Sequence, residues 1–236
     1  MNTEPTSPDD LAHLSPLHSA SALRLRYHTI ELTGMDIHVR TLRDNQQFYD
    51  PDGVAEQLGI SSATWPLFGI IWPSGMVLAN HMVSHAIGGL RILEIGCGIG
   101  LASLVLNHRH ADITATDYHP EAGAFLIENV RIDAGGIIPF VRTGWEDSAS
   151  ELGRFDLIIG SDLLYEQAHI ALLSDFINRH AQPHCEVIIV DPGRGNHASF
   201  SKRMLALGYS HRQEKPAALD VLVKPFKGQI LTYDRH

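Results

Sequence analysis

Residues 91–100, Arg91-Ile92-Leu93-Glu94-Ile95-Gly96-Cys97-Gly98-Ile99-Gly100, decide the fold. The apolar run Arg91–Ile95 reads as a strand buried on both faces. Three glycines at alternate positions then turn the chain sharply and let its backbone approach a ligand, and a helical stretch, Leu101–Asn107, follows. Downstream the same cycle recurs. Asp112–Thr116 is a second strand, closed by Asp117 and followed by a helix that Pro120 opens. Ile137–Arg142 is a third strand. Phe155–Gly160 is a fourth, with a helix over about His169–His180, and Glu186–Val190 a fifth, with a helix from about Ala198 to Leu207. Buried strands that alternate with helices imply a parallel sheet with right-handed crossovers. Tyr209–Asp234 lacks a helical stretch and reads as an antiparallel hairpin at one edge. The expected fold is α/β: a doubly wound, mostly parallel seven-stranded sheet of Rossmann-like type, with ligands at the carboxyl ends of its strands.

Upstream of the loop, the chain divides into three parts. Residues 1–22, rich in Pro, Ser, Thr and Asp, read as a mobile tail. Residues 23–64 form an extension: a β-hairpin, Tyr27–Leu32 and Met35–Leu42 about Gly34, then a loop with the turn Asp50-Pro51-Asp52-Gly53. The main domain is expected over 65–236, where a helical pattern runs from Ser74 towards a stop at Gly88-Gly89.

Composition excludes several classes. With 18 basic against 27 acidic side chains, the formal net charge of −9 disfavours generic nucleic-acid binding and suits a basic partner. Cys97 and Cys185 are too few for a disulfide framework or a multi-cysteine metal site. Met1–Asp10 has neither the basic nor the apolar region of a secretion signal, so a reducing, cytoplasmic setting is expected. The most apolar window, Pro66–Ala79, is too short to span a bilayer and is broken by Pro73 and Gly75, so no membrane association is expected. The 15 histidines are scattered, without a pair on one helix face beside a carboxylate, so no metal site is expected.

A Gly-x-Gly loop alone also suits a tight strand-to-helix turn in unrelated α/β proteins. Two carboxylates narrow the choice. Glu94 stands two residues before the first glycine, and Asp117 closes the second strand, where a carboxylate can grip both hydroxyls of a ribose. The dinucleotide pattern Gly-x-Gly-x-x-Gly fails, because its last position, counted from Gly96, is Leu101. The segment instead resembles motif I of class I methyltransferases, where the loop holds the amino-acid portion of S-adenosylmethionine and the following acid its ribose.

The resemblance extends over about Trp65–Asp191. Ile71-Trp72-Pro73-Ser74-Gly75 is similar to the Trp-Pro segment of the seven-strand lysine methyltransferases (the methyltransferase-16 family). Gly144-Trp145-Glu146 follows the third strand, where that family sets a tryptophan beside the adenine. Gly160-Ser161-Asp162-Leu163-Leu164-Tyr165 matches its Asp-x-x-Tyr/Phe signature. Asp191-Pro192-Gly193-Arg194 is similar to the subgroup that methylates the electron-transfer flavoprotein β-subunit. The resemblance implies S-adenosyl-L-methionine as cofactor and a lysine of a protein substrate as acceptor. It carries Trp72, Gly96, Cys97, Gly98, Gly100, Asp117, Tyr118, Trp145 and Ser161 onto positions around the cofactor, with Glu94 supporting the loop. Asp162 and Tyr165 fall at the methyl-transfer site.

Plainer roles stand beside these. Trp72 and Trp145 suit core packing, Asp162 a helix N-cap, Tyr165 an amphipathic core position, and Pro192-Gly193 a simple turn. Arg194 either steers a substrate carboxylate or pairs with Asp191. An amine with a reference pKa of about 10.4 must lose a proton before it attacks, and a carboxylate raises that pKa. Asp162 is therefore expected to orient the amine and not to act as a strong base. Tyr165 offers an aromatic wall to a cationic substrate. Two other functions remain open: a small-molecule N-methyltransferase, and a cofactor-binding scaffold without turnover. A hairpin and Asp191–Arg194 loop that close over the pocket would favour a small substrate; an open acidic groove would favour a protein.

Overall fold

The computed structural model describes residues 23–148, 152–219 and 222–236; the tail expected over 1–22 lies outside the described residues. Nine strands and six helices follow in the order β1 (Leu25–Leu32), β2 (Met35–Leu42), α1 (Val54–Gln57), α2 (Pro73–Ser84), β3 (Arg91–Ile95), α3 (Leu101–His108), β4 (Asp112–Asp117), α4 (Ala122–Ile132), β5 (Phe140–Arg142), β6 (Phe155–Ser161), α5 (His169–His180), β7 (Ala181–Asp191), α6 (His197–Ala206), β8 (Ser210–Glu214) and β9 (Gln229–Arg235) among the described residues. A 3₁₀ turn, Trp65–Gly69, precedes α2.

Seven strands form one sheet in the order β5-β4-β3-β6-β7-β9-β8. The first five of these are parallel, while β9 runs antiparallel to both β7 and β8, so the edge hairpin takes the expected form. Alternation along the strands sends side chains to two cores. Ile92, Leu157, Ile159, Ile188 and Val190 face the layer of α2, α3 and α4. Leu93, Ile95, Ile158, Val187 and Ile189 face that of α5 and α6. From β3 the chain winds out to β5 and then returns to β6 on the other side of β3, so strand order reverses between β3 and β6. A crevice must open there at the carboxyl ends.

The hairpin β1–β2 turns at Thr33-Gly34, with Gly34 at φ +76°, and pairs from Leu25 with Leu42 to Leu32 with Met35. Its inward residues Ile30, Leu32, Ile37 and Val39 are buried. Two side chains of the α4 region fasten it: Asp133 accepts the His38 amide at 2.7 Å, and Asn129 accepts that of Arg40 at 2.9 Å.

Boundaries move where backbone chemistry outweighs the hydrophobic pattern. The third strand of the parallel series begins at Phe140 and not at Ile137, which is 94% exposed; Pro139 just before it has no N–H for a ladder. Helix α2 ends at Ser84 because His85 is extended, well before Gly88. The apolar stretch Trp65–Ser84 is long and apolar enough for a membrane by length and composition alone. It is broken at Ile70, which is extended, and α2 buries Met76, Val77, Leu78, Ala79 and Met82 against the sheet.

Candidate functional site

The loop after β3 folds through hydrogen bonds of its own. Cys97 donates its amide to the Thr116 carbonyl at 2.9 Å, and Gly100 donates to the Cys97 carbonyl at 2.8 Å. Gly96, Gly98 and Gly100 all have positive φ, at +60°, +54° and +80°. An added Cβ would also meet a close neighbour at each. A Cβ would stand 2.7 Å from Leu163 at Gly96, 2.9 Å from the Phe68 carbonyl oxygen at Gly98, and 2.3 Å from Leu126 at Gly100. Backbone conformation favours glycine at all three positions, and at Gly98, where the obstruction is main chain, space requires it as well.

Two carboxylates brace this loop. Glu94, 4% exposed, accepts the Ser103 amide at 2.9 Å and also its hydroxyl, so it satisfies a free N–H in the first turn of α3. Burial nevertheless raises its pKa to about 7. Asp117 accepts the Gly98 amide on one oxygen and the His119 amide on the other, each at 2.8 Å. Burial raises its pKa too, against the lowering pull of those amides. The thiol of Cys97 is buried and free, with its pKa raised well above the ordinary value by desolvation and by the nearby carboxyls. It is a poor nucleophile.

The crevice at the strand reversal is a cavity of about 770 Å³. It gathers Trp72, Glu94, Gly96, Cys97, Gly98, Asp117, Tyr118, Trp145, Ser161, Asp162 and Tyr165 on one lining. Of the residues singled out in the sequence, Gly100 alone stands apart. It is the N-cap of α3 and lies over Leu126, where it shapes the loop from behind. Trp72 caps α2 ahead of Pro73 and fixes its indole by donating to the Leu67 carbonyl at 2.9 Å. The Trp145 loop is held by Arg179, which donates to the carbonyls of Trp145 and Asp147 at 3.1 Å each. Tyr118 donates its hydroxyl to the Leu58 carbonyl at 2.9 Å.

Asp162 corrects a simpler reading. Helix α5 starts at His169 with Ala168 as its N-cap, so Asp162 caps nothing. It sits at φ +56°, in the left-handed region, and its amide donates to the Val190 carbonyl at 2.9 Å. Aspartate tolerates that conformation better than most residues, and such a site usually marks function. Tyr165 is 50% exposed and lines the cavity, so it is no core residue. Arg194 does not bridge Asp191, the intramolecular partner considered for it. Its guanidinium grips Asp162 in a two-point bridge, at 2.7 and 3.0 Å. Asp191 is turned inward instead, accepting the Gly193 amide at 3.0 Å.

Several lining residues were not foreseen. The segment Leu58–Phe68 supplies one wall, whereas neither strand of the β1–β2 hairpin contributes a lining residue. His119 is buried, its ring stacked on Phe68 with centroids 4.0 Å apart. Its Nδ1 accepts the Glu121 amide at 3.1 Å, so the proton of the neutral ring is on Nε2, which has no hydrogen-bond partner among the described residues. Burial pushes the pKa of this histidine down to about 4. Its position two residues beyond Asp117 was the available signal. Among the described residues the charged lining is lopsided: Asp117, Glu146, Asp162 and Glu166 stand against the one guanidinium of Arg194, with Glu94 buried behind the loop.

Residues 57–205 match the family described as lysine methyltransferase. The chain belongs to this lysine methyltransferase family. Among its relatives, the electron transfer flavoprotein beta subunit lysine methyltransferase of Xenopus laevis is 29% identical over 138 residues, covering 57% of this chain and 55% of that protein. The EEF1A lysine methyltransferase 3 of Mus musculus is 25% identical over 142 residues, covering 57% and 61%. This family member thus spans little more than half the length of those curated relatives. In fold it is similar to the T. thermophilus 16S rRNA N2 G1207 methyltransferase solved with AdoMet and guanosine. The TM-score there is 0.61 at 12% identity, over 90% of this chain and 51% of that one.

Proposed function

We propose that this chain is an S-adenosylmethionine-dependent methyltransferase that modifies a lysine side chain of a protein. The observation that carries the reading is one cavity in which the glycine loop, tied to Asp117, faces the Asp162–Tyr165 segment.

The residues present fit the cofactor. The positive-φ turns at Gly96 and Gly98 bring the loop's backbone onto the cavity wall, where a ligand can approach it closely. Each Asp117 oxygen takes one amide, which leaves an acceptor position on both for the two ribose hydroxyls. Trp72, Tyr118 and Trp145 supply flat apolar surface for the adenine, and Cys97 and Ser161 line the adjoining wall. The volume suits a ligand of that size. When bound, S-adenosylmethionine supplies an electrophilic methyl group on a sulfonium.

The chain's own task is to bring an amine to that methyl in the right line and without its water shell. Asp162 would receive a hydrogen bond from the incoming amine, and Tyr165 at the rim would present a ring face to the cationic side chain. The excess of carboxylates over guanidinium in the cavity supports a substrate that arrives as an ammonium. Because the hairpin does not roof the cavity, and Leu67, Tyr118 and Tyr165 are exposed at its rim, a side chain carried on a protein surface can be offered to it.

The test is incubation of the protein with methyl-labelled S-adenosylmethionine and a lysate of its source, followed by identification of the labelled species. A labelled protein with methyl on lysine supports the reading. Label confined to low-mass species overturns it in favour of a small-molecule acceptor.

A further inference from the structure

We infer that Arg194 is a positioning residue that holds Asp162 in place and cancels its charge, so that the acceptor amine is oriented without being locked as an ammonium. The inference rests on the methyl-transfer reading above.

Asp162 alone would work against the reaction. A carboxylate beside a lysine stabilises the protonated form, which has no lone pair to give. In this structure the Asp162 carboxylate is 12% exposed and already engaged at both oxygens by the Arg194 fork, at 2.7 and 3.0 Å. Such a bridge fixes orientation as well as charge. The carboxylate keeps acceptor positions for an amine N–H, yet the pair is close to neutral at the distance of a bound substrate. Both partners line the cavity, so the bridge is part of its wall.

The backbone on both sides is built to hold it. Asp162 occupies the left-handed region at the end of β6, and Arg194 lies between Gly193 at φ +95° and Gly195 at φ +91°. Asn196 ties the same turn back by donating to the Leu164 carbonyl at 3.0 Å. The other ionisable groups facing the pair are accounted for. Asp191 is turned inward to the Gly193 amide, with His197 3.9 Å away on α6. On the α5 side Glu166 lies 3.4 Å from His169, and Tyr165 stands beside them. Asp117, on the opposite wall, is held by two amides. Arg194 is thus the one guanidinium set against Asp162 among the described residues.

The first test needs no acceptor. S-adenosylmethionine carries a positive sulfonium and S-adenosylhomocysteine a neutral thioether, so their affinity ratio reports the charge of the wall. Calorimetry with both ligands is expected to give Arg194→Gln a ratio shifted roughly fivefold towards the cation, because Asp162 is left uncompensated. Arg194→Lys should return most of that shift, and Asp162→Asn should move the ratio the other way. An unchanged ratio in Arg194→Gln, with both ligands still bound, overturns the inference.

The second test uses the protein acceptor found by labelling. The acid limb of kcat against pH is expected to move up by about one unit in Arg194→Gln, with KM changing less than kcat at neutral pH. A limb that stays in place overturns the inference. If Arg194 instead received a substrate carboxylate, KM alone would rise and the limb would not move. A wild-type protein that binds both ligands but labels no acceptor overturns the methyl-transfer reading, while the affinity ratio still decides the pair. Binding of neither ligand overturns both.

Discussion

The Asp117 carboxylate holds the Gly98 amide at 2.8 Å and so fastens the end of β4 to the loop that follows β3. The acid therefore shapes the glycine loop as well as facing the cavity. Asp117→Ala should release both functions at once. We expect cofactor affinity, measured by calorimetry, to fall by a factor of roughly 100, the loss of two charge-assisted contacts. Asp117→Asn should recover little, since its amide nitrogen would confront one of two N–H donors. Affinity within twofold of wild type in Asp117→Ala would contradict this role.

Gly98→Ala tests the loop from the backbone side. The residue is at φ +54°, and an added Cβ would lie 2.9 Å from the Phe68 carbonyl oxygen, which is main chain and cannot swing aside. Left-handed strain alone costs about 1–2 kcal/mol. The clash adds to it, so a loss of roughly 2–3 kcal/mol is expected in denaturant unfolding, together with weaker cofactor binding. Gly193→Ala is the control. It has a positive φ as well, but nothing lies within 4 Å of its added Cβ, so it should lose only the strain.

Much of this arrangement could be read from residue order, because strand-loop-helix chemistry is local. Arg91–Ile95 and His169–His180 form their elements at the expected bounds, as apolar periodicity and flanking turns dictate. The partner of Arg194 could not be read. Asp162 and Arg194 are 32 positions apart and meet only because β6 and β7 are neighbours whose ends are in register. Nothing local distinguishes that pairing from one with Asp191, which is three residues away. The wall formed by Leu58–Phe68 was hidden for a related reason: its first part, up to Thr64, read as a loop of the extension and Trp65–Phe68 as the start of the main domain, and its place over the cavity follows from Trp65 and Phe68 packing on His119. Gly100 is a different case: the motif groups it with the cofactor loop, while in the fold it caps α3 and packs against Leu126.

Asp162→Ala should abolish turnover and leave affinity for S-adenosylhomocysteine within a few-fold, because the side chain faces the acceptor side of the cavity. Alanine is strained at φ +56°, so lost activity alone would not separate chemistry from folding. Asp162→Asn keeps a residue that tolerates this backbone and still accepts a hydrogen bond. It should fold with a melting temperature close to wild type and still lose most of kcat. Full activity in either variant, measured on the labelled acceptor, would remove Asp162 from the methyl-transfer site.

Glu94 gives stability a dependence on pH. Burial holds its folded pKa at about 7, above its ordinary value of 4.5. The folded state therefore binds the proton more tightly than the unfolded chain. The contribution is complete below about pH 4.5 and is lost as pH rises through 7, by up to about 3 kcal/mol for a shift of this size. Glu94→Gln still accepts the Ser103 amide and cannot ionise. The stability difference, wild type minus Glu94→Gln, should fall by up to about 3 kcal/mol as pH rises from 4.5 to 7 and stay constant on either side of that window. Parallel curves would mean that Glu94 does not titrate in this range.

His119 has the opposite sign. Its folded pKa, held down at about 4 by burial, lies below the ordinary 6.5, so the unfolded chain takes up the proton more readily. Its contribution is complete above about pH 6.5 and is lost as pH falls towards 4, again by up to about 3 kcal/mol. His119→Phe retains a ring to stack on Phe68 and removes the titration, but it also removes the Nδ1 that accepts the Glu121 amide. We expect this variant to be less stable than wild type at pH 7 by about 1 kcal/mol, and to lose less than wild type between pH 6.5 and 4. Urea unfolding at half-unit steps would separate the two residues between pH 4.5 and 6.5, where Glu94→Gln leaves the His119 slope, stability rising with pH, and His119→Phe leaves the Glu94 slope, stability falling with pH. Between those values the wild-type contributions run against each other, so wild-type stability should vary least there. A steep wild-type slope between pH 4.5 and 6.5 would show that one of the two groups titrates elsewhere.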